Sequence, residues 1–271
     1  MKKWIWMAIV AFLMMGAAVE PVAAGKKKSK PTVFMIGDST VKNGRGDGSN
    51  GQWGWGSFLW QYFDTTQVRF DNHAMGGRSS RTFISEGRWK RVLDQLQPGD
   101  YVLIQFGHND SGPLNTGRAR ASLKGNHDCD TVVVMESTQL PDTVHSFGWY
   151  MRKYVREAKA KKAIPIVFSH IPRNNFVTLD STQIIRNTEG FGQWSKEAAA
   201  MEKGIYIDLN DRIATEYESM GKKLVQLMFH GDHTHTSYAG AQLNARIVAE
   251  LLSEQKQLLV SKWSLVRSRK R

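Results

Sequence analysis

Five short apolar runs, separated by helical patterning, limit what this chain can fold into. They are Thr32–Ile36, Val68–Asn72, Asp100–Phe106, Ala163–Ser169 and Gly204–Leu209, the second more polar than the rest. Runs that are apolar almost throughout, rather than at alternate positions, suit parallel strands covered on both faces. Between them lie amphipathic stretches. In Ser146–Lys162, the residues Phe147, Met151, Tyr154, Val155 and Ala158 recur at helical spacing. Lys159, Lys161 and Lys162 close that stretch, where cations suit the negative end of a helix dipole. Trp194–Met201 and Arg212–Met220 read as further helices, and Leu243, Ile247, Val248, Leu251 and Leu252 give a last helix its buried stripe. Strands alternating with helices predict one doubly wound α/β sheet, whose site lies in the loops after the strands' carboxyl ends. Two long stretches, Lys42–Gly56 and Ser111–Pro141, read as irregular loops of the kind that usually carry function.

Composition agrees with one such domain. The 271 residues are 41% hydrophobic and include 28 aromatic side chains, enough for a sizeable core and too many for a disordered chain. A single cysteine, Cys129, excludes a scaffold held by internal disulfides. The formal charge of +12 suggests a nucleic-acid binder until it is located. Met1–Ala24 has the basic start, apolar run and small-residue cleavage site of a secretory signal peptide, so the mature chain is expected to start at Gly25 and to keep no stable membrane anchor. Nine of the remaining basic residues sit at the two ends. They are Lys26, Lys27, Lys28, Lys30, Lys262, Arg267, Arg269, Lys270 and Arg271, and they leave 26 basic against 24 acidic residues between the ends. A nucleic-acid reader places its charge on a folded face, so no nucleic-acid partner is expected. The layout read from the sequence is a signal peptide at 1–24, a basic linker at 25–31, one domain at 32–255 and a basic tail at 256–271.

Four clusters stand at element ends. Gly37-Asp38-Ser39-Thr40 follows the first run, Gly76-Gly77-Arg78-Ser79 the second and Gly107-His108-Asn109-Asp110 the third; Asp232-His233-Thr234-His235 precedes the last helix. A Ser, a His and an Asp are the parts of a nucleophilic hydrolase site: the hydroxyl needs an adjacent base, and the base an orienting carboxylate. Each cluster alone also reads as an ordinary turn. His230, Asp232, His233 and His235 could instead bind a metal, although no His-Glu-x-x-His occurs and the other three clusters would then be unexplained. No Gly-x-Ser-x-Gly surrounds Ser39, so the ordinary α/β-hydrolase fold is not indicated.

Taken together, the clusters resemble the sequence blocks of the SGNH (GDSL-type) hydrolases, and most closely the rhamnogalacturonan acetylesterase branch. Ile36–Val41, Gly51–Gly56, Gly77–Arg81, Gly107–Asp110 and Asp232–His235 carry the resemblance, which spans about Thr32 to Leu252. It implies a three-layer α/β/α, flavodoxin-like fold with a five-stranded parallel sheet. It implies Ser39 as nucleophile, His235 as general base and then acid, and Asp232 as the group orienting His235. The oxyanion would be held by the backbone N–H of Ser39, the backbone N–H of Gly77 (Gly76 being its neighbouring alternative) and the side-chain amide of Asn109. Thr40 stands where the superfamily often has Leu. No cofactor and no metal are expected. The implied substrate is an acetylated acidic polysaccharide, rhamnogalacturonan, met by a monomer that is secreted or periplasmic. Arg78, Arg81 and Arg173 are candidate contacts to galacturonate carboxylates, since Arg suits bidentate carboxylate recognition. Trp53 and Trp55 could stack on sugar or pack under their loop. Alternatives are an acetylxylan, sialate O-acetyl or lipase-like esterase of the same superfamily, a binding protein with a vestigial site, or a polyanion binder using its tails.

Overall fold

The structure, a computed structural model, describes residues 30–266. The signal segment at 1–24, most of the basic linker and residues 267–271 lie outside the described residues. In chain order the main elements are β1 (Thr32–Gly37), β2 (Arg69–Asn72), α1 (Ser80–Ser85), α2 (Arg88–Leu93), β3 (Tyr101–Gln105), β4 (Asp130–Val134), β5 (Pro141–His145) and α3 (Phe147–Ala160). There follow β6 (Ile164–Phe168), α4 (Phe191–Met201), β7 (Ile205–Ile207), α5 (Leu209–Met220), α6 (Lys222–Leu227) and α7 (Tyr238–Glu254). The five apolar runs become one parallel sheet in the order β2-β1-β3-β6-β7. The order reverses between β1 and β3, and a doubly wound sheet opens its binding crevice at that reversal.

Side-chain alternation explains why the strands read as continuous apolar runs. In β1, Val33 and Met35 join one core with Leu103, Ile166, Phe168 and the buried faces of α5 and α7. Phe34 and Ile36 point the other way, into a second core with Val102, Ile104, Phe83, Trp89 and the face of α3. Both faces of the sheet are covered, which makes three layers. All residues of β1 and β3 are buried.

The structure departs from the sequence reading in three places. Residues 111–141 are not wholly irregular: β4 and β5 form an antiparallel hairpin there. It carries no period-two signal because Val132 and Val134 point outward, 65% and 55% exposed. Secondly, α1 and α2 have six residues each, too short to show a helical period. Local chemistry starts α1: the Ser79 hydroxyl accepts from the Thr82 N–H, and the Thr82 hydroxyl accepts from the Ser79 N–H. Thirdly, the chain beyond 255 is not a free tail. Leu258 and Val260 are buried, the Asp64 N–H donates to the Trp263 carbonyl (2.8 Å), and the Leu265 N–H donates to the Tyr62 carbonyl (2.8 Å). The packed domain therefore reaches residue 266. Among the described residues no helix is long and apolar enough to cross a membrane. Cys129 is an exposed free thiol.

Candidate active site

Strand order alone brings three of the sequence clusters together. Ser39 follows β1, Gly77 follows β2 and Asn109 follows β3, and β1 lies between the other two in the sheet. Gly37 ends β1 because nothing larger fits: a Cβ there would lie 2.6 Å from the Gln105 carbonyl oxygen and 2.6 Å from Val41. The chain then turns, with the Val41 and Lys42 N–H groups donating back to the Asp38 carbonyl (3.2 and 3.0 Å). The Asp38 carboxylate, wholly buried, accepts from the Thr40 N–H (2.9 Å) and hydroxyl (2.7 Å). Burial raises its carboxyl above the ordinary value, against these hydrogen bonds. Beneath the turn, the Gln105 amide donates to the Thr40 hydroxyl (2.6 Å) and accepts from the Trp55 indole N–H (2.9 Å). Trp55, 1% exposed, is thus a buttress under Ser39 with no face open to a sugar. Thr40 links that buttress to the turn.

Ser39 Oγ lies 2.9 Å from Nε2 of His235, and His235 Nδ1 lies 2.6 Å from Asp232 Oδ2. A carboxylate can only accept, so Nδ1 carries the hydrogen and Nε2 is left to accept from the Ser39 hydroxyl. The other carboxylate oxygen, Oδ1, accepts from the backbone N–H groups of Thr234 (2.7 Å) and His235 (2.8 Å). The Asp232 carboxyl is held below its ordinary value: burial opposes this, and the hydrogen bonds from the His235 ring and the two backbone groups outweigh it. The loop is pinned by Trp53, whose N–H donates to the Thr236 carbonyl (2.9 Å) and whose carbonyl accepts from the Thr236 hydroxyl (2.7 Å). The Trp53 ring packs against Phe58 and edge-on to Tyr238, beneath Gly48, where a Cβ would overlap it. Of the two tryptophans of the Gly51–Gly56 block, Trp55 is buried under the Ser39 turn and the half-buried Trp53 holds the loop of His235.

The two neighbouring glycines have different reasons to be glycine. Gly76 passes so close to Gly44 that a Cβ would lie 2.4 Å from its nitrogen. Gly77 sits at φ +79°, which favours glycine. The Asn109 side-chain amide donates to the Arg78 carbonyl (3.0 Å), which fixes its orientation beside the Gly77 turn. Arg120 donates to the Gly77 carbonyl (3.1 Å) on the other side.

Asp110 ties the two loops together from underneath and had no signal of its own in the sequence. Its Oδ1 accepts from the backbone N–H (3.0 Å) and the hydroxyl of Ser80. Burial pushes its carboxyl up to about 7; the Ser80 hydrogen bonds oppose that, and the Asp38 charge adds to it. An acid whose folded value lies above its unfolded 3.8 binds its proton more tightly in the native state. Its contribution to stability is complete below about pH 4 and is lost as pH rises through about 7. Asp110→Asn cannot ionise, so its melting temperature should gain on that of the wild type by several degrees between pH 4 and 7. Any cost of burying the amide is independent of pH, so the slope of the difference is the readout, and a flat difference would exclude the ionisation.

The sequence candidates for substrate contact separate cleanly. Arg81, 3% exposed, donates to the carbonyls of Leu114 (2.8 Å) and Ala121 (3.0 Å) and pairs with Asp142, so it holds the long loop rather than a substrate. Arg78 pairs with Glu86 (3.0 Å) and donates to the Gly76 carbonyl (3.0 Å). Arg173 has no hydrogen-bond or ion-pair partner among the described residues and lines a cleft beside His108 and His170. As for a metal, no three His, Cys, Asp or Glu side chains among the described residues converge as ligands.

Comparison with known proteins is consistent with this geometry. The GDSL-like lipase/acylhydrolase family model matches residues 35–243. A rhamnogalacturonan acetylesterase of Emericella nidulans is 30% identical over 216 residues, covering 79% of this chain and 81% of that protein. A probable rhamnogalacturonan acetylesterase of Bacillus subtilis, YesY, is 27% identical over 227 residues, covering 82% and 92%. The crystal structure of YxiM from Bacillus subtilis superposes with a TM-score of 0.68 at 27% identity; the match covers 84% of this chain and 57% of that one. The chain belongs to the GDSL-like lipase/acylhydrolase family of carboxylic ester hydrolases, the SGNH superfamily, in its rhamnogalacturonan acetylesterase-like branch.

Proposed function

We propose that the protein is a secreted serine acetylesterase that removes acetyl groups from rhamnogalacturonan through an acyl-enzyme on Ser39. The observation that carries this reading is the unbroken hydrogen-bond relay from Ser39 through His235 to Asp232, with Gly77 and Asn109 at the adjoining strand ends. In this reading Ser39 Oγ attacks the acetyl carbonyl as its proton passes to His235 Nε2. The carbonyl oxygen takes up negative charge facing the N–H groups of Ser39 and Gly77 and the Asn109 amide. Collapse breaks the bond to the sugar oxygen, which takes the proton from His235 and leaves as a hydroxyl. Water then attacks the acetyl-Ser39 ester, giving its proton to His235; acetate leaves and the proton returns to Ser39. Asp232 stabilises the imidazolium formed in each half. The polymer is the one named for both acetylesterase relatives above. Secretion rests on the signal-like segment at 1–24.

Acetate release from acetylated rhamnogalacturonan, acetylated xylan and a small aryl acetate tests the reading. Release should concentrate on the pectic polymer. Serine-dependent release from xylan alone would replace the substrate and keep the chemistry; preference for long acyl chains would indicate a lipase-like enzyme. Asn109→Ala should lower kcat on all acetyl esters by about 10²–10³-fold, the usual loss for one oxyanion donor. A loss confined to KM would remove Asn109 from that role.

A further inference from the structure

At the loop that follows β3 lies a cleft of about 200 Å³ whose lining includes His108, His170, Arg173, Asn175 and Asn187, and no acidic residue. We propose that this cleft is the subsite for a uronate carboxylate of the substrate, with the Arg173 guanidinium as its ligand. The proposal rests on the pectic reading above and names the group by which such a polymer is recognised.

Four observations carry it. First, of the three arginines raised by the sequence, Arg173 alone has no partner among the described residues, and its Nε is buried without a hydrogen bond. A guanidinium presents a planar fork of donors that matches a carboxylate. Second, among the described residues both ring nitrogens of His108 and Nδ1 of His170 are buried without a well-formed hydrogen bond, with only weak contacts to the Ile171 backbone and the Asn187 side chain. The rings meet edge to face at 4.7 Å. Burial pushes His108 down to about 3 and His170 well below its ordinary value, and the Arg173 charge adds to both shifts. At neutral pH the two imidazoles are therefore uncharged and the cleft's permanent charge is that of Arg173. An apolar acyl chain would leave the Arg173 guanidinium without an anion, whereas a carboxylate can accept from it and from an imidazole N–H. Third, the position suits a sugar next to the reacting ester. His108 precedes Asn109, and the Asn174 N–H donates to the His233 carbonyl (2.8 Å), two residues before His235. Fourth, a larger cavity of about 630 Å³ continues from the cleft, sharing Asn175 and Ile185, so a polymer can run on beyond the carboxylate-bearing unit.

The test is a cycle of two changes: Arg173→Gln in the protein, and reduction of the uronate carboxyls to alcohols in acetylated rhamnogalacturonan oligosaccharides. With the wild type, carboxyl reduction should lower kcat/KM by about ten- to a hundredfold, the range for a charged hydrogen-bonded pair. Arg173→Gln should lose about as much on the native oligosaccharide, mainly in KM, and carboxyl reduction should then cost it little more. Arg173→Lys, which keeps the charge and loses the fork, should fall between the two. Losses that simply add would overturn the subsite. If the wild type ignores the pectic oligosaccharides, the substrate reading fails on its own. The subsite is then read by competition of digalacturonate with a neutral aryl acetate. Inhibition that weakens at least tenfold in Arg173→Gln supports it. No inhibition, inhibition equal in both proteins, or inhibition by free acetate as strong as by digalacturonate would overturn it. Melting curves establish that the variants fold; should Arg173→Gln fail to, Arg173→Lys and the reduced substrate complete the cycle.

Discussion

Replacing Ser39 with alanine should lower the turnover of a simple acetyl ester by about 10⁵–10⁶-fold while the protein keeps its fold. The size follows from Ser39, His235 and Asp232 acting as one unit: without the nucleophile, the base has nothing to deprotonate, and catalysis falls to what the remaining donors give a bound water. Stability should barely change, because among the described residues the Ser39 hydroxyl bonds to His235 and to no scaffold group. The turn itself is held by Asp38, Thr40 and Gln105. His235→Ala should cost about as much, and the double variant no more than either, since both act in the same proton transfer. Single-turnover hydrolysis of an aryl acetate with thermal melts decides the matter. Release that survives Ser39→Ala would transfer attention to the histidine-rich loop and to a metal-bound water. Additive losses in the double variant would mean that the two residues act in separate steps.

The parts of the molecule legible in the sequence are those whose signal is local. β1 and β3 announce themselves because both faces are buried, so nearly every residue is apolar or small, Gln105 being the exception. Ser39 and His235, 196 residues apart, are paired by the family resemblance that their two blocks carry. The hairpin of β4 and β5 escaped because two of the three valines of β4, Val132 and Val134, face outward, which erases the alternation that a half-buried strand should show. The supporting network escaped for another reason. Gln105 reads as one polar residue at the end of an apolar run, and its value lies wholly in contacts with Thr40 and Trp55, 65 and 50 residues away. Nor could the three arginines be told apart by type. Arg81 became structural when the fold brought Asp142 and two carbonyls around it, and Arg173 became a ligand candidate because the fold brought nothing. What sequence cannot supply is the list of partners at long range, and that list decides which polar residues hold the protein and which await a substrate.

Asp232→Asn separates orientation from scaffolding within a single side chain, and it should lower kcat by about 10³–10⁴-fold with little loss of stability. The two carboxylate oxygens do different work. Oδ1 accepts from the backbone N–H groups of Thr234 and His235, and an asparagine carbonyl can do the same, so the loop should keep its shape. Oδ2 faces the His235 ring nitrogen at 2.6 Å, and there the amide presents N–H groups instead. Two donors cannot share one hydrogen bond, so the imidazole is driven to the tautomer with its hydrogen on Nε2, which cannot accept from Ser39. In a fully buried triad this substitution costs about 10⁴. Here Asp232 is 39% exposed, so water can take part in stabilising the imidazolium, and the loss should fall at or below that figure. Because the wild-type carboxyl is held below its ordinary value, it stays ionised across the neutral range, and the gap between wild type and variant should not close between pH 6 and 9. Turnover of an aryl acetate over that range, beside thermal melts, is the measurement. Activity within tenfold of wild type would show that His235 is oriented by something other than Asp232. A fall in melting temperature of more than a few degrees would assign the carboxylate to the loop's structure, since the backbone hydrogen bonds to Oδ1 would then have failed as well.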